Sequence, residues 1–244
     1  HGDRVSLRDT TFQGSTGFPI YRNEPLTFVK DHIVMEQEPL AEVPQAIEQR
    51  VEKRNYHITD TELGTGTPTE KYQNNITAIR LLKELESENR LATAEEQAVL
   101  AKYVGWGGLA ECFSETNRNY VELKSLLTEE EFSSARESTL TAFYTQPTVI
   151  KAIYRGLSQM GFETGNILEP SCGTGNFLGL LPESMENSRI YGVELDSISG
   201  RIAKQLYQKA DIRIQGFENA DFSDSFFDVA VGNVPFGQFK VSDK

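Results

Sequence analysis

The sequence predicts an α/β fold, a parallel doubly wound sheet preceded by an α-helical segment. Three observations carry that prediction. From Gln146 onward, short apolar runs alternate with helical patterns; a glycine-rich turn follows the first such run; and residues 75–103 show a helical period.

The first seventy residues come before this pattern. Residues 1–69 mix Pro, Gly, Thr and charge with little sustained period, which predicts an extended arm or linker, with helical character only around Gln45 to Arg54. Thr61-Glu62-Leu63-Gly64-Thr65-Gly66-Thr67-Pro68 resembles a phosphate loop at a glance. It lacks the Gly-Lys-Ser/Thr ending that would bring a lysine to phosphate, so a plain loop is expected.

Residues 70–142 are expected to be α-helical. Ile76, Ile79, Leu82 and Leu85 form one stripe between polar positions, and Thr93 with Glu96 three residues on marks the start of a second helix. Val104-Gly105-Trp106-Gly107-Gly108 breaks the period, since glycine tolerates positive φ. Trp106 is either a packing anchor or a ligand-facing aromatic, and packing is the commoner role of a single Trp. Thr128 followed by Glu129, Glu130 and Glu131 opens another helix, with acids where the helix dipole favours them.

From residue 143 the strands begin. A helix starts at Pro147, and strands are expected at 166–170, 190–194, 212–215 and 227–232, with a helix over 197–209. In such a sheet the ligand lies at the carboxyl ends of the strands. The first strand ends in Glu169-Pro170-Ser171-Cys172-Gly173-Thr174-Gly175-Asn176-Phe177, an acid followed by a turn whose glycines admit close backbone approach. The second ends in Glu194-Leu195-Asp196, and a carboxylate at that position can accept from both hydroxyls of a ribose. The fourth ends in Asn233-Val234-Pro235-Phe236. A carboxamide oxygen and a backbone carbonyl there would accept the two hydrogens of an exocyclic amine and free its lone pair for attack. An aromatic ring beside them would stack on a flipped base.

Composition sets limits on this picture. The 244 residues hold 24 Lys plus Arg against 36 Asp plus Glu, a net charge of −12, which disfavours a free-standing nucleic-acid binder. No apolar run approaches the roughly 18 residues of a membrane span. With no signal-peptide layout at the N-terminus, a cytoplasmic protein without membrane contact is expected. Cys112 and Cys172 make neither a disulfide framework nor a metal-ligand pattern.

Glu169 to Leu178, Gly192 to Asp196, Asn219-Ala220-Asp221-Phe222 and Asn233 to Phe236, with Phe143 to Pro147 upstream, resemble in order and spacing the motifs of S-adenosylmethionine-dependent adenine-specific DNA methyltransferases. Over Tyr103 to Gly108, Leu168 to Pro182, Tyr191 to Tyr207 and Val231 to Val241, the chain is similar to the methylase region of very large mobile-element and phage proteins in which a Swi/Snf-type helicase follows. The resemblance implies a Rossmann-like class I methyltransferase fold, truncated after its fourth strand, whose N-terminal half fills residues 143–244. It implies S-adenosyl-L-methionine as cofactor. DNA would be the partner, weakly bound by this chain alone, with a helicase region elsewhere in a larger polypeptide.

The same resemblance assigns residues. Glu169 would meet the amino group of the methionine moiety, with Pro170 and the backbone from Cys172 through Gly173 and Gly175 to Asn176 and Phe177 wrapping it. Tyr144 and Thr145 would lie near its carboxylate. Glu194 would hold the ribose and Leu195 would flank the adenine, while Asp221 would accept from the adenine amine, with Phe222 on the ring. Asn233, Pro235 and Phe236 would form the catalytic target pocket. Two departures stand out: Val234 replaces the family's proline, and the chain stops at Lys244 where the family continues. They favour one alternative, a non-catalytic module of a helicase protein, and a second, a methyltransferase acting on protein glutamine, stays open because Asn-Pro-Pro-aromatic tips also serve that substrate.

Overall fold

The computed structural model describes residues 4–13, 19–25, 52–59, 64–139 and 144–234. Contacts divide the chain into two units, 1–50 and 51–244. In the first, β1 (Arg4–Gln13) pairs antiparallel with β2 (Pro19–Pro25), Arg4 opposite Pro25, with a register shift between Asp9 and Gln13. A strand pair thus stands where the sequence suggested an extended arm. The alternation at Val5 and Leu7 was too short to signal it.

In the second unit, α1 (Pro68–Ser87) starts ahead of the apolar stripe. Thr67 caps it, Pro68 occupies the first turn, and Glu70 reaches back to the Thr67 amide at 2.8 Å. This capping box is worth about 1 kcal/mol and decides where the chain turns helical. The same box, built from Thr93 and Glu96, opens α2 (Ala94–Leu100). After α3 (Tyr120–Leu126), Thr128 and Glu131 repeat it at α4 (Glu129–Ser138).

The sheet follows: α5 (Pro147–Gln159), β3 (Asn166–Glu169), α6 (Asn176–Gly179), β4 (Arg189–Glu194), α7 (Ser197–Leu206), β5 (Asp211–Ile214) and β6 (Val229–Ala230). All pairs are parallel and the order is β5-β4-β3-β6, a Rossmann-like arrangement. Strands β3, β4 and β5 step in one direction, and the chain then crosses back to lay β6 on the other side of β3. That reversal opens a crevice beyond the carboxyl ends of β3 and β6, where ligands of such sheets bind.

The core runs across the boundary expected at residue 142. Ile79, Leu82 and Leu85 of α1 are buried in one cluster with Ile198, Ile202 and Leu206 of α7 and with Ile190 and Ile212 of the sheet. Arg201 of α7 ties the layers together through Glu86 at 2.9 Å and through the buried Glu131. A second cluster joins Ile150 and Tyr154 of α5 to Ile167, Phe177 and Val231. Trp106 is buried edge-on against Tyr103 and Phe113, so of its two readings the structure supports packing. Its turn is held by the fully buried Asn75, which donates to the Gly105 carbonyl and accepts from the Val104 amide. Among the described residues, no helix is long and apolar enough to cross a membrane.

Candidate functional site

Strand β3 delivers Glu169 in register with Gly192 of β4. Glycine at 192 is a packing requirement, because a Cβ there would lie 2.8 Å from Ile212 and 3.0 Å from the Cys172 sulfur. The Cys172 amide donates to the Val193 carbonyl at 2.9 Å, carrying the pairing one step past the strand end, and the Gly175 amide closes a turn onto the Cys172 carbonyl at 2.7 Å. Gly173 and Gly175 have φ of 56° and 87°, a region costly for other residues. Helix α6 starts at once from this turn.

Glu194, at the end of β4, fastens the loop. One carboxylate oxygen accepts the Gly173 amide at 2.6 Å and the other the Asp196 amide at 2.8 Å. A carboxylate has about four acceptor positions, so capacity for further donors remains. Asp196 is committed elsewhere: it caps α7 by accepting the Ser199 amide and hydroxyl, and it takes the Ser134 hydroxyl at 3.0 Å. Sequence reading missed that role, although Asp-x-x-Ser at a strand-to-helix junction is its usual signal.

Glu169 is only 3% exposed, and its Oε2 has no hydrogen-bond partner among the described residues. Burial, aided by the charge of Glu194, pushes its carboxyl well above the usual carboxylate range. Burial also raises Glu194, against the lowering pull of the Asp196 and Gly173 amides. The charge of Glu194 is thus felt at Glu169, and among the described residues no cation offsets either carboxylate. A ligand ammonium would relieve both penalties, since an opposite charge favours the ionised form. Tyr144 stands over the turn, its Cε1 3.7 Å from where a Gly173 Cβ would be, and burial and the charges of Asp196 and Glu194 raise its phenol. Thr145 is half-buried beside it.

The other expected residues divide. Gly232 follows β6 and packs on the same strand end, its Cβ position 3.4 Å from Pro170 and 3.6 Å from Glu169. The exposed Asn233 is therefore one residue from Glu169's neighbour. Asn176 is half-buried at the first helical position, and Leu195 is 76% exposed beside Glu194.

Phe177 points away from the site: its ring lies in the core edge-on to Tyr154, whose hydroxyl donates to the Phe177 carbonyl at 2.9 Å. The Cys172 thiol is buried, pushed up by desolvation, and donates weakly to the Gly173 carbonyl at 3.7 Å. Phe222 belongs to an aromatic cluster with Tyr191, Phe226 and Phe227 and carries the Arg213 guanidinium 4.0 Å above its ring. Arg213 also donates to the Asp221 carbonyl at 2.7 Å, leaving the Asp221 side chain exposed. Phe143, Pro235 and Phe236 lie outside the described residues.

No protein-family model matches the chain. Over 162 residues it is 31% identical to the defense against restriction protein B of Escherichia phage P1, covering 66% of this chain and 6% of that protein. Over 115 residues it is 35% identical to the type II methyltransferase M.CvrRI of Paramecium bursaria Chlorella virus XZ-6E, covering 47% and 29%. The chain thus spans less than a third of the length of either relative. A solved structure of a putative class I S-adenosylmethionine-dependent methyltransferase from Listeria monocytogenes aligns with a TM-score of 0.37 and 18% identity over 71% of this chain and 60% of that one. The chain is therefore similar in sequence to a type II methyltransferase over about half its length and to a phage protein of defense against restriction over about two thirds of it.

Proposed function

We propose that this chain is the S-adenosyl-L-methionine-binding part of a DNA methyltransferase acting on the exocyclic amine of adenine, within a larger polypeptide that also carries a helicase. The observation that carries this reading is Glu169: a buried carboxylate oxygen without a partner among the described residues, beside a glycine turn that a second carboxylate fastens. A site so built suits a ligand with an ammonium at one end and neighbouring hydroxyls at the other. Similarity to M.CvrRI supports the choice of cofactor and of DNA as substrate.

Each residue then has a task. Glu169 accepts the ligand's ammonium, and the turn from Cys172 to Asn176 lies along the methionine moiety, with Tyr144 and Thr145 near its carboxylate. Glu194 uses its remaining lone pairs for the ribose hydroxyls, Leu195 covers the adenine, and Asp221 accepts the adenine amine with Phe222 behind it. Asn233 accepts one hydrogen of the target amine and leaves the nitrogen lone pair free, with Pro235 and Phe236 completing the pocket. A bound cofactor would supply a methyl group on a positively charged sulfur: the nitrogen would bond to that carbon as the carbon–sulfur bond breaks in line, the neutral thioether would leave and the amine's surplus proton would pass to water, so no strong general base is needed.

Titration calorimetry tests the cofactor reading. Saturable heat with S-adenosylmethionine is expected, and none would sink it. Tritiated methyl transfer to DNA by the longer polypeptide tests the rest, with label expected on adenine and lost in Asn233→Ala. Val234 favours a second reading, in which the module binds cofactor without transferring methyl; binding without label on DNA would select it. Label on protein glutamine would select a protein methyltransferase.

A further inference from the structure

The glycine turn has a back as well as a front, and the back is filled by residues to which no role has been given above. Helix α7 ends at Leu206, and Tyr207 leaves it at φ −117° and ψ 68°. Its side chain is buried, only 1% exposed, behind the turn. The ring sits so close to Gly175 that a Cβ there would collide with Cε2 and lie 2.8 Å from Cδ2, while the hydroxyl would collide with a Cβ on Gly179. One ring therefore backs both ends of α6.

A strap holds that ring in place. Residues 54–58 run antiparallel past the end of α7: the Tyr56 amide donates to Leu206 at 2.7 Å, the Gln208 amide to Arg54 at 3.1 Å, and the Lys209 amide to the Asn55 side chain at 2.9 Å. The Ile58 amide then donates to the Gly179 carbonyl at 2.8 Å, and the Ile58 side chain fills the space a Gly179 Cβ would need. From the α-helical layer, the buried Gln97 donates to the Gln205 and Leu206 carbonyls. Three parts of the chain thus converge on one tyrosine.

We propose that Tyr207, with Ile58 of the strap, is a positioning residue that holds the glycine turn in its ligand-accepting shape and so sets affinity for the amino-acid end of the cofactor; this rests on the cofactor reading above. The physical reason is that Gly173 and Gly175 are conformationally free. Glycine loses the most entropy on ordering, so a turn that must present amides in fixed directions needs an external support. Tyr207 supplies it by contact from behind, without touching the ligand.

Two ligands separate positioning from general stability. S-adenosylmethionine uses the turn, whereas 5′-methylthioadenosine keeps the nucleoside and lacks the amino-acid end. For Tyr207→Ala, affinity for S-adenosylmethionine should fall at least tenfold and affinity for methylthioadenosine less than twofold. Tyr207→Phe, which keeps the ring, should restore most of the loss. Equal losses for both ligands, or no loss in a folded Tyr207→Ala, overturn the proposal. If Tyr207→Ala does not fold, Ile58→Ala must show the same split at smaller size, and an equal or absent loss there overturns it too. Wild-type chain that binds neither ligand removes the cofactor reading itself, a result distinct from both.

Discussion

Glu194 holds the amide of Gly173 at 2.6 Å, so the carboxylate at the end of one strand fixes the turn that follows its neighbour. The same carboxylate caps its own chain at Asp196. A glutamine in its place can accept at one end only and turns an NH2 toward the other amide. Glu194→Gln should therefore lose one of the two bonds, costing about 1–3 kcal/mol of stability, and weaken S-adenosylmethionine binding at least tenfold. Chemical denaturation and calorimetry on the same samples check both. Unchanged affinity would detach Glu194 from the site.

Glu169 makes the opposite prediction for stability. Its folded carboxyl titrates above the unfolded one. Such a group contributes stability that is fully present below the unfolded carboxylate range and is lost as pH rises through the folded value. The free chain should become less stable as pH rises above that range, and Glu169→Gln should flatten this slope. Above that range the variant should be more stable than wild type, because folding then no longer has to protonate or bury an unpartnered carboxylate. Thermal melts across pH show it. A variant less stable than wild type at every pH would contradict the account of this carboxylate.

Ligand binding should follow the same proton. An ammonium is best held by the ionised form, so affinity for S-adenosylmethionine should rise with pH while Glu169 deprotonates, and binding at lower pH should release protons to the buffer. Calorimetry in buffers of different ionisation enthalpy measures that release. Proton uptake on binding would be the wrong sign.

Away from the site, Glu131 tests the joint between the layers. Burial pushes its carboxyl up, yet the Thr128 amide, Lys83 and Arg201 outweigh that and hold it below its ordinary value. Glu131→Gln should cost about 2 kcal/mol, given that hydrogen bonds to charged groups are worth about 1.5–3 kcal/mol each. The loss should shrink as pH falls through the folded value, because wild type loses its charge there too. Denaturation at two pH values reads this difference.

Tyr103 offers a contrasting case in the same core. Among the described residues neither its buried hydroxyl nor the indole nitrogen of Trp106 makes a hydrogen bond of ordinary geometry, and the polar neighbours of the hydroxyl are Ser199 and that indole. Tyr103→Phe should be neutral or stabilising by up to about 1 kcal/mol. A loss above that, seen in denaturant titration, would mean that the hydroxyl is paired.

The site's front was legible in the sequence because its chemistry is local. Glu169, Gly173, Gly175 and Glu194 sit at strand ends, where period and glycine spacing point directly to them. The strand pair at the N-terminus was not legible, since alternation over Val5 and Leu7 alone cannot outweigh the surrounding polar residues. The start of α1 was, in principle: Thr67-Pro68 with Glu70 is a capping signal, but the glycines before it drew attention to the loop. Phe177 and Phe222 follow motifs that suggest ligand contact, yet an aromatic ring goes where apolar surface is available. Tyr154 provides it for Phe177, and Tyr191 with Phe227 provides it for Phe222. Tyr207 could not be read at all, because its partners Ile58, Gly175 and Gly179 come together only through the tertiary fold.

The most direct test of the account is a crystal structure of this chain with S-adenosylhomocysteine, which keeps both the ammonium and the ribose. The account predicts the ammonium within about 3 Å of Glu169 Oε2, ribose hydroxyls on Glu194, and the Gly173–Gly175 turn unmoved. A ligand bound elsewhere, or bound here with Glu169 Oε2 still unpartnered, would contradict it.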